Sequence, residues 1–208
     1  AGKDMVDISF MPEDALRLLQ DIGLKVRGSG TRTLLASAGG GRYQILFARA
    51  QDIPEFVDIG ASDLGITGLD LVMEYGRPVP RLLDLDFGRC RLIAAVPEGS
   101  PLRSLDDLPA NARVATAFPR LAAAFFAKRK AKVTVIPVSG AAEVTPSIGV
   151  ADLIVDLVES GATLRQNHLT MLDVLLDSQA VLIGNAAARR KRAAEMEELV
   201  SAVRSVIE

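Results

Sequence analysis

The chain has no tryptophan, one histidine and one cysteine, and only 4% of its 208 residues are aromatic. A single cysteine, Cys90, excludes an internal disulfide framework and a thiolate metal cluster, and we therefore expect a cytoplasmic protein. The scarcity of aromatic side chains removes stacking platforms for bases, and the net charge of −2 offers no basic surface to a phosphate backbone. Nucleic acid is not an expected partner.

Long apolar runs are also missing. No segment approaches the roughly 18 consecutive apolar residues of a membrane helix, and residues 1–5 lack the apolar part of a secretion signal. A serine-histidine-aspartate triad would have to use His168, whose setting between Asn167 and Leu169 indicates a loop. Apolar residues nevertheless make up 49% of the chain, and Ala, Val, Leu and Gly dominate, which is typical of a compact α/β protein.

Strand and helix patterns alternate along the sequence, which predicts the α/β class with mostly parallel sheets. A β-α-β unit over residues 113–138 demands parallel pairing, and a hairpin is expected around the glycine turn at 38–41. The turn-rich segment 97–109 suits either a crossing between lobes or a surface loop. Two lobes whose strand-to-helix turns face each other would form a cleft.

The end of the chain predicts one helix over residues 188–207. Its cationic run, residues 189–192, falls in the first turn of this predicted helix, where positive charge opposes the helix dipole. We interpret the run mainly as a solvated face, with binding of an anion or a partner as the alternative.

The most informative stretch is 143–164. Within it, Leu153–Val158 is too apolar and too β-branched for a surface loop, and we expect a buried parallel strand. The polar residues 159–163 then form a strand-to-helix turn. Free backbone N–H groups at the start of a helix can hold a phosphate, but an ordinary capped turn explains the same local pattern, so both interpretations stay open.

Five residues around this turn suit a sugar phosphate. Gly161 would let the backbone approach the ligand and adopt angles that other residues avoid. The hydroxyls of Ser160 and Thr163 can donate hydrogen bonds to phosphate oxygens. Asp156 and Glu159, at the end of the strand, can face a ribose hydroxyl or a magnesium ion.

A second strand-to-helix junction lies at residues 63–70. Gly65 and Gly68 leave room for a ligand against the backbone, and Asp70 can accept a hydrogen bond from an amine or a hydroxyl. The alternative is that Asp70 only complements the helix dipole.

The spacing over 143–164 goes beyond a generic turn and resembles the signature of the ATP phosphoribosyltransferase family, the first enzymes of histidine biosynthesis. The residues that carry this resemblance are Glu143, Gly149, Ala151, Ile154, Asp156, Leu157, Ser160, Gly161, Thr163 and Leu164. Other segments similar to the family are Arg49 with residues 52–54, then 63–70, 88–92, 95–97 and 138–140.

The resemblance implies a periplasmic-binding-protein-like fold with two lobes around a cleft. Lobe I would comprise residues 1–88 joined by 178–208, and lobe II residues 89–177. The implied reaction transfers the phosphoribosyl group of 5-phosphoribosyl 1-diphosphate to N1 of ATP and releases pyrophosphate, with Mg²⁺ as cofactor and unassigned metal ligands. In this reaction, carboxylates near the ribose would stabilise an oxocarbenium-like state.

The same resemblance assigns the residues to roles. It assigns catalysis to Asp156 and Glu143. Binding of 5-phosphoribosyl 1-diphosphate falls to Asp156, Glu159, Ser160, Gly161, Ala162 and Thr163. Binding of ATP falls to Arg49, Gly68, Asp70 and Glu143.

The chain departs from the family pattern at its start. A Pro-Lys-Gly-Arg run usually joins the first strand to the first helix, but here Phe10 is followed directly by Met11. Loss of two cations would weaken diphosphate binding, so a catalytically silent assembly subunit is one alternative function. A two-lobed module that binds a small solute is another.

The chain stops after the predicted terminal helix, without the further C-terminal domain of the long form, and we expect the short form. Short-form members work with a regulatory subunit that resembles histidyl-tRNA synthetase. The resemblance therefore implies a homodimer or larger assembly that contains such a subunit, and no membrane partner.

Overall fold

The computed structural model describes residues 4–8, 12–26 and 34–207, and the chain folds into two compact units. The first unit runs to Gly88 and resumes at Gln179, and the second unit is Arg89–Ser178. The segment 97–109 lies wholly within the second unit, where it contains the 3₁₀ turn Leu105–Asp107. It is therefore not a crossing between lobes. The junction of Phe10 and Met11 lies outside the described residues.

Strands and helices alternate along the chain, which confirms the α/β class. The strands are β1 (Asp4–Ile8), β2 (Leu35–Ala38), β3 (Tyr43–Phe47), β4 (Leu64–Gly68), β5 (Arg81–Asp84), β6 (Cys90–Pro97), β7 (Ala112–Thr116), β8 (Val133–Pro137), β9 (Leu153–Val158), β10 (Leu169–Ser178) and β11 (Ala180–Gly184). The helices are α1 (Pro12–Asp21), α2 (Ile53–Asp58), α3 (Leu69–Tyr75), α4 (Pro119–Lys128), α5 (Gly161–Gln166), α6 (Ala186–Lys191) and α7 (Ala193–Ile207).

The first unit is built on a sheet of order β2-β3-β1-β4-β11-β5, and helices pack against both of its faces. Successive residues of a strand point to opposite faces, and β11 shows this clearly. Leu182 packs in the apolar cluster that contains α1 and α7, whereas Val181 and Ile183 pack with α2. The predicted hairpin is confirmed, since β2 and β3 pair antiparallel around the glycine turn.

The second unit is built on a sheet of order β10-β6-β9-β7-β8, with β9 at its centre. Strand β9 pairs parallel with β7 and antiparallel with β6. Its residues Leu153, Ile154 and Val155 are all buried, as the apolar run predicts. Ile154 and Val158 pack with Leu164 of α5 on one face of the sheet. Asp156 lies between these two in the alternation, so its side chain shares their face.

Both sheets are mixed, and the expectation of mostly parallel pairing was wrong. Of the nine strand pairings among the described residues, four are parallel and five antiparallel. The β-α-β rule holds where a helix returns the chain to the same sheet, as between β7 and β8. It fails where the chain changes units, because β11 enters the first sheet antiparallel to both β4 and β5.

The predicted single terminal helix is in fact two helices, α6 and α7, separated at Arg192. The Arg192 guanidinium forms an ion pair with Asp63, which is only 5% exposed. Helical spacing could not reveal this break, because the partner is 129 residues away in sequence. The cationic residues 189–191 consequently occupy the last turn of α6, where they complement the helix dipole instead of opposing it.

Candidate active site

A cavity of about 180 Å³ lies in the second unit beside β9. It brings together the two carboxylates that sequence analysis assigned to catalysis, Asp156 and Glu143, although they are thirteen positions apart in sequence. The other residues that line it are Ile93, Ile154, Leu157, Val158, Leu164, Asn167 and Leu169. The cavity therefore presents two acids against a mainly apolar wall.

Asp156 is placed by the alternation of β9, which sets its carboxylate on the same face as the apolar cluster beneath α5. Its Oδ1 accepts a hydrogen bond of 2.8 Å from the backbone N–H of Leu157. Burial raises the pKa of Asp156 above its ordinary value, and the negative charge of Glu143 raises it further, while the Leu157 hydrogen bond acts in the opposite direction. The surroundings of Asp156 therefore disfavour its charged carboxylate form.

Glu143 lies on a 3₁₀ turn, Ala142–Val144, which is anchored from both sides. Ala142 is buried, and the Thr145 hydroxyl donates a hydrogen bond of 2.7 Å to its carbonyl oxygen. Ala141, just before the turn, has a φ of 53° in the left-handed region, which is unfavourable for a residue with a side chain. The turn therefore holds Glu143 at the cavity at some local conformational cost.

The predicted phosphate-binding turn, residues 159–163, follows β9 directly and leads into α5. Ser160 Oγ accepts a hydrogen bond of 3.3 Å from the backbone N–H of Ala162, as expected of a capped turn. Glu159 and Ser160 are exposed to solvent. The Thr163 side chain lies outside the described part of the structure. The geometry of this segment is therefore compatible with both an ordinary capped turn and a turn that binds a ligand.

The expectation that Gly161 needs a conformation closed to other residues was wrong, since its φ does not lie in the left-handed region. Glycine instead leaves space, because an added Cβ would meet only Arg165 Nη1, at 3.2 Å. That atom is the end of a flexible side chain. The open surface above Gly161, and not backbone strain, is what remains to support ligand binding there.

Three assigned residues, Arg49, Gly68 and Asp70, belong to the first unit. Arg49 is exposed and directly precedes the 3₁₀ turn Ala50–Asp52. The hydroxyl of Thr67 in β4 donates a hydrogen bond of 2.9 Å to the carbonyl oxygen of Ala50. This bond ties the Arg49 segment to the end of β4, next to Gly68.

Asp70 is 3% exposed and lies in the first turn of α3. A Cβ on Gly68 would lie 2.4 Å from Asp70 Oδ1, so the glycine makes room for this carboxylate. Gly65 has a packing role that the sequence did not reveal, because its Cβ would lie 2.6 Å from Ile53 Cγ2 of α2. The expectation that Gly65 leaves room for a ligand was therefore wrong.

Asn167 and His168 are neighbours in the sequence, but of the two only Asn167 lines the cavity. Asn167 lines the cavity, but no local pattern in the sequence singled it out. His168 follows it with a φ of 51°, is exposed, and places Nδ1 3.3 Å from Glu98 Oε2. The loop expected at His168 fits this position, and the contacts describe a surface pair with Glu98.

In the ranges 4–8, 12–26 and 34–207, no group of three or more His, Cys, Asp or Glu residues could hold a metal ion. Over the same ranges, no helix has both the length and the apolar character needed to cross a bilayer.

The family model of HisG, ATP phosphoribosyltransferase, matches residues 49–205, which include every assigned site residue. The chain belongs to the ATP phosphoribosyltransferase family. An ATP phosphoribosyltransferase of Gemmatimonas aurantiaca is 50% identical over 204 residues, which cover 95% of this chain and 70% of the relative. That of Methanothermobacter thermautotrophicus is 41% identical over 196 residues, which cover 94% of this chain and 68% of the relative. The predicted family and enzyme class, a pentosyltransferase of the first step of histidine biosynthesis, are confirmed.

Solved structures agree at the level of the fold. The ATP phosphoribosyl transferase (HisG:HisZ) complex from Thermotoga maritima contains a chain that aligns with a TM-score of 0.86 at 24% identity, covering 99% of this chain and 98% of that one. The substrate binding protein of an amino acid ABC transporter aligns with a TM-score of 0.61 at 15% identity, covering 99% and 92%. At these identities the likeness concerns architecture alone, and the predicted periplasmic-binding-protein-like fold of this ATP phosphoribosyltransferase family member is confirmed.

Proposed function

We propose that this chain transfers the phosphoribosyl group of 5-phosphoribosyl 1-diphosphate to N1 of ATP and releases pyrophosphate. The observation that carries the proposal is the cavity shared by Glu143 and Asp156 beside the turn at 159–163, in a chain of this family.

The paired carboxylates supply the chemistry. When the bond between the anomeric carbon and the diphosphate breaks, positive charge develops on the ribose ring, as in other glycosyl transfers. Asp156 and Glu143 repel each other in the free protein, and this repulsion contributes to the raised pKa of Asp156. A cationic ribose between them relieves the repulsion, so both side chains bind the transition state more tightly than the neutral ring.

The turn at 159–163 binds the 5′-phosphate of the ribose in this proposal. Backbone N–H groups at the start of α5 and the hydroxyls of Ser160 and Thr163 donate to its oxygens, and Gly161 and Ala162 keep the approach open. The bond from Ala162 N–H to Ser160 Oγ exchanges for a bond to phosphate. Glu159 lies at the ribose end of this turn and accepts from a ribose hydroxyl.

In the first unit, Arg49, Gly68 and Asp70 bind ATP in this proposal. Arg49 is an exposed guanidinium, which suits a phosphate oxygen. Asp70 is an acceptor at the first turn of α3, which suits an amine or a hydroxyl of the nucleoside. Gly68 keeps the space that the Asp70 carboxylate needs.

The carboxylates of Glu143 and Asp156 suit a magnesium ion that enters the site bound to a substrate. Proteins commonly hold Mg²⁺ through one or two carboxylates, with substrate phosphates and water completing the octahedron. Glu143 and Asp156 are two carboxylates on one cavity, which matches that need without a preformed cluster of three acids. When bound, magnesium would neutralise charge on the leaving diphosphate.

We further propose that the chain works as a homodimer or larger assembly with a regulatory subunit of the HisZ type. The HisG:HisZ complex from Thermotoga maritima supports this assembly through a chain of matching fold. We also propose that the reaction takes place in the cytoplasm.

Pyrophosphate release tests the activity directly. It is measured with ATP alone, with 5-phosphoribosyl 1-diphosphate alone and with both, each in the presence and absence of a HisZ-type subunit. Release is expected only when both substrates are present. No release under any of these conditions would overturn the catalytic proposal and would favour a silent assembly subunit, while tight binding of a non-phosphorylated solute would favour a solute-binding module.

A further inference from the structure

A second cavity, in the first unit, has a different chemical character. It has a volume of about 230 Å³ and lies between β5 and the helix pair α6 and α7. Three arginines line it, Arg81, Arg189 and Arg204, and we call it the arginine cavity. None of the residues assigned to ATP or to 5-phosphoribosyl 1-diphosphate contributes to it.

One face of α7 forms most of the cavity wall. Ala193, Met196, Val200 and Arg204 recur at spacings of three or four residues, so they lie along one stripe of the helix. Met196 and Val200 are buried, and with Leu82 of β5 they give the cavity an apolar base. A charged rim above an apolar base is the usual composition of a small-ligand site.

The charges that line the cavity do not cancel. Three guanidinium groups and one carboxylate, that of Glu197, line the cavity, and Asp84 compensates the charge of Arg81, which leaves an excess of one positive charge. Arg81 donates to Asp84, just outside the cavity. Within the described residues, the guanidinium groups of Arg189 and Arg204 have no hydrogen-bond or ion-pair partner, so their donors are available to a ligand.

We propose that the arginine cavity binds a phosphate group, either as inorganic phosphate or as a small phosphate monoester. A phosphate near neutral pH carries close to two negative charges and several acceptor oxygens, so it can bind Arg189 and Arg204 together. The planar forks of Arg189 and Arg204 suit phosphate oxygens, to which they can donate in pairs. The volume excludes larger ligands, since pockets for drug-sized molecules span about 300–1,000 Å³.

The site is independent of the proposed activity, because it lies in the first unit and shares no residue with the proposed substrate sites. Its test is calorimetric titration of the full chain at constant ionic strength, with inorganic phosphate and ribose 5-phosphate as probes. The Gly161→Val variant serves as background to suppress phosphate binding at the 159–163 turn. The conclusion rests on differences between variants in that background, so it holds whatever Gly161→Val does to the turn.

Arg204→Gln and Arg189→Gln should each weaken phosphate binding about tenfold, the loss of one charge-assisted contact. Arg190→Gln is the matched control, since Arg190 is exposed like Arg189 and neighbours it, but does not line the cavity, and it should change affinity less than about twofold because it makes no contact with a bound phosphate. Glu197→Gln should tighten binding about threefold or more by removing the one carboxylate among the described residues of the wall.

The two probes distinguish the source of the phosphate. Tighter binding of ribose 5-phosphate assigns the site to a monoester, whose organic part contacts the apolar base, and equal binding assigns it to inorganic phosphate. Unchanged affinity in Arg204→Gln, an equal loss in Arg190→Gln, or weaker binding in Glu197→Gln would each overturn the proposal. The predicted gain in Glu197→Gln cannot come from misfolding, which keeps the test decisive if an arginine variant is unstable.

Discussion

Replacement of Gly161 by valine separates the fold from ligand binding at the 159–163 turn. The new Cβ would meet only Arg165 Nη1, at 3.2 Å, and that side chain can move away. The backbone φ is one that valine can adopt, and glycine and valine differ by only a few tenths of a kcal/mol in helix propensity. The free energy of unfolding should therefore change by no more than about 0.5 kcal/mol.

The effect on binding should be much larger. The valine methyl groups project into the space above the start of α5, where the proposed 5′-phosphate accepts hydrogen bonds from backbone N–H groups. Each hydrogen bond to a charged group contributes about 1.5–3 kcal/mol, so the loss of two would cost about 3–6 kcal/mol. Because each 1.4 kcal/mol is a factor of about ten, the affinity for 5-phosphoribosyl 1-diphosphate should fall at least a hundredfold.

Calorimetric titration with 5-phosphoribosyl 1-diphosphate measures this change, and thermal unfolding measures the stability of the same samples. Ala124→Val is a matched control, because Ala124 is an exposed helical position of α4 in the same unit. Gly161→Ala should fall between the wild type and Gly161→Val in affinity. Unchanged affinity in Gly161→Val, with the fold intact, would refute the assignment of the phosphate to this turn.

Three further substitutions test separate steps of the reasoning. Asp156→Asn should lower the rate of pyrophosphate release by about a hundredfold or more yet raise the unfolding temperature at neutral pH. The pKa of Asp156 is raised in the folded state, so its charge costs stability above that pKa, and denaturant titrations should show the advantage of the variant disappearing as the pH falls towards 3.8. Gly65→Ala should lower the free energy of unfolding by about 1–3 kcal/mol in urea titration, because its Cβ would overlap Ile53 Cγ2 at 2.6 Å; an unchanged midpoint would contradict the packing role. Arg192→Gln should destabilise the chain by about 3 kcal/mol or more in the same assay by leaving the buried Asp63 carboxylate without this ion pair, and a loss below 1 kcal/mol would argue against it.

Local patterns predicted the elements well where one physical cause dominates. The apolar run of β9 identified a buried strand, because a strand covered on both faces needs apolar residues at every position but its functional ones. The glycine turn before Tyr43 likewise identified the hairpin. Neither conclusion depended on contacts distant in sequence.

The failures share one cause, since each depended on contacts between segments far apart in the chain. At the break, Arg192 pairs with the distant Asp63, and the packing role of Gly65 requires α2 to lie against β4. The antiparallel entry of β11 follows from the chain changing units at 178–179. The conformation of Gly161 was also misjudged, because the presence of glycine shows that a side chain is unwanted but not whether space or backbone angle is the reason.

Two local costs within the second unit meet at one cavity, and this supports a functional site independently of any resemblance. On one face of β9, Leu153 and Val155 are fully buried and apolar, as a core strand requires. On the other face, Asp156 takes a position between Ile154 and Val158 that an apolar residue would stabilise, and its pKa records the burial of its charge. The turn that brings Glu143 to the same cavity begins with Ala141 in a strained conformation. A chain selected for stability alone would remove both costs with single substitutions, so their coincidence at one cavity indicates selection for the chemistry that two closely placed carboxylates perform.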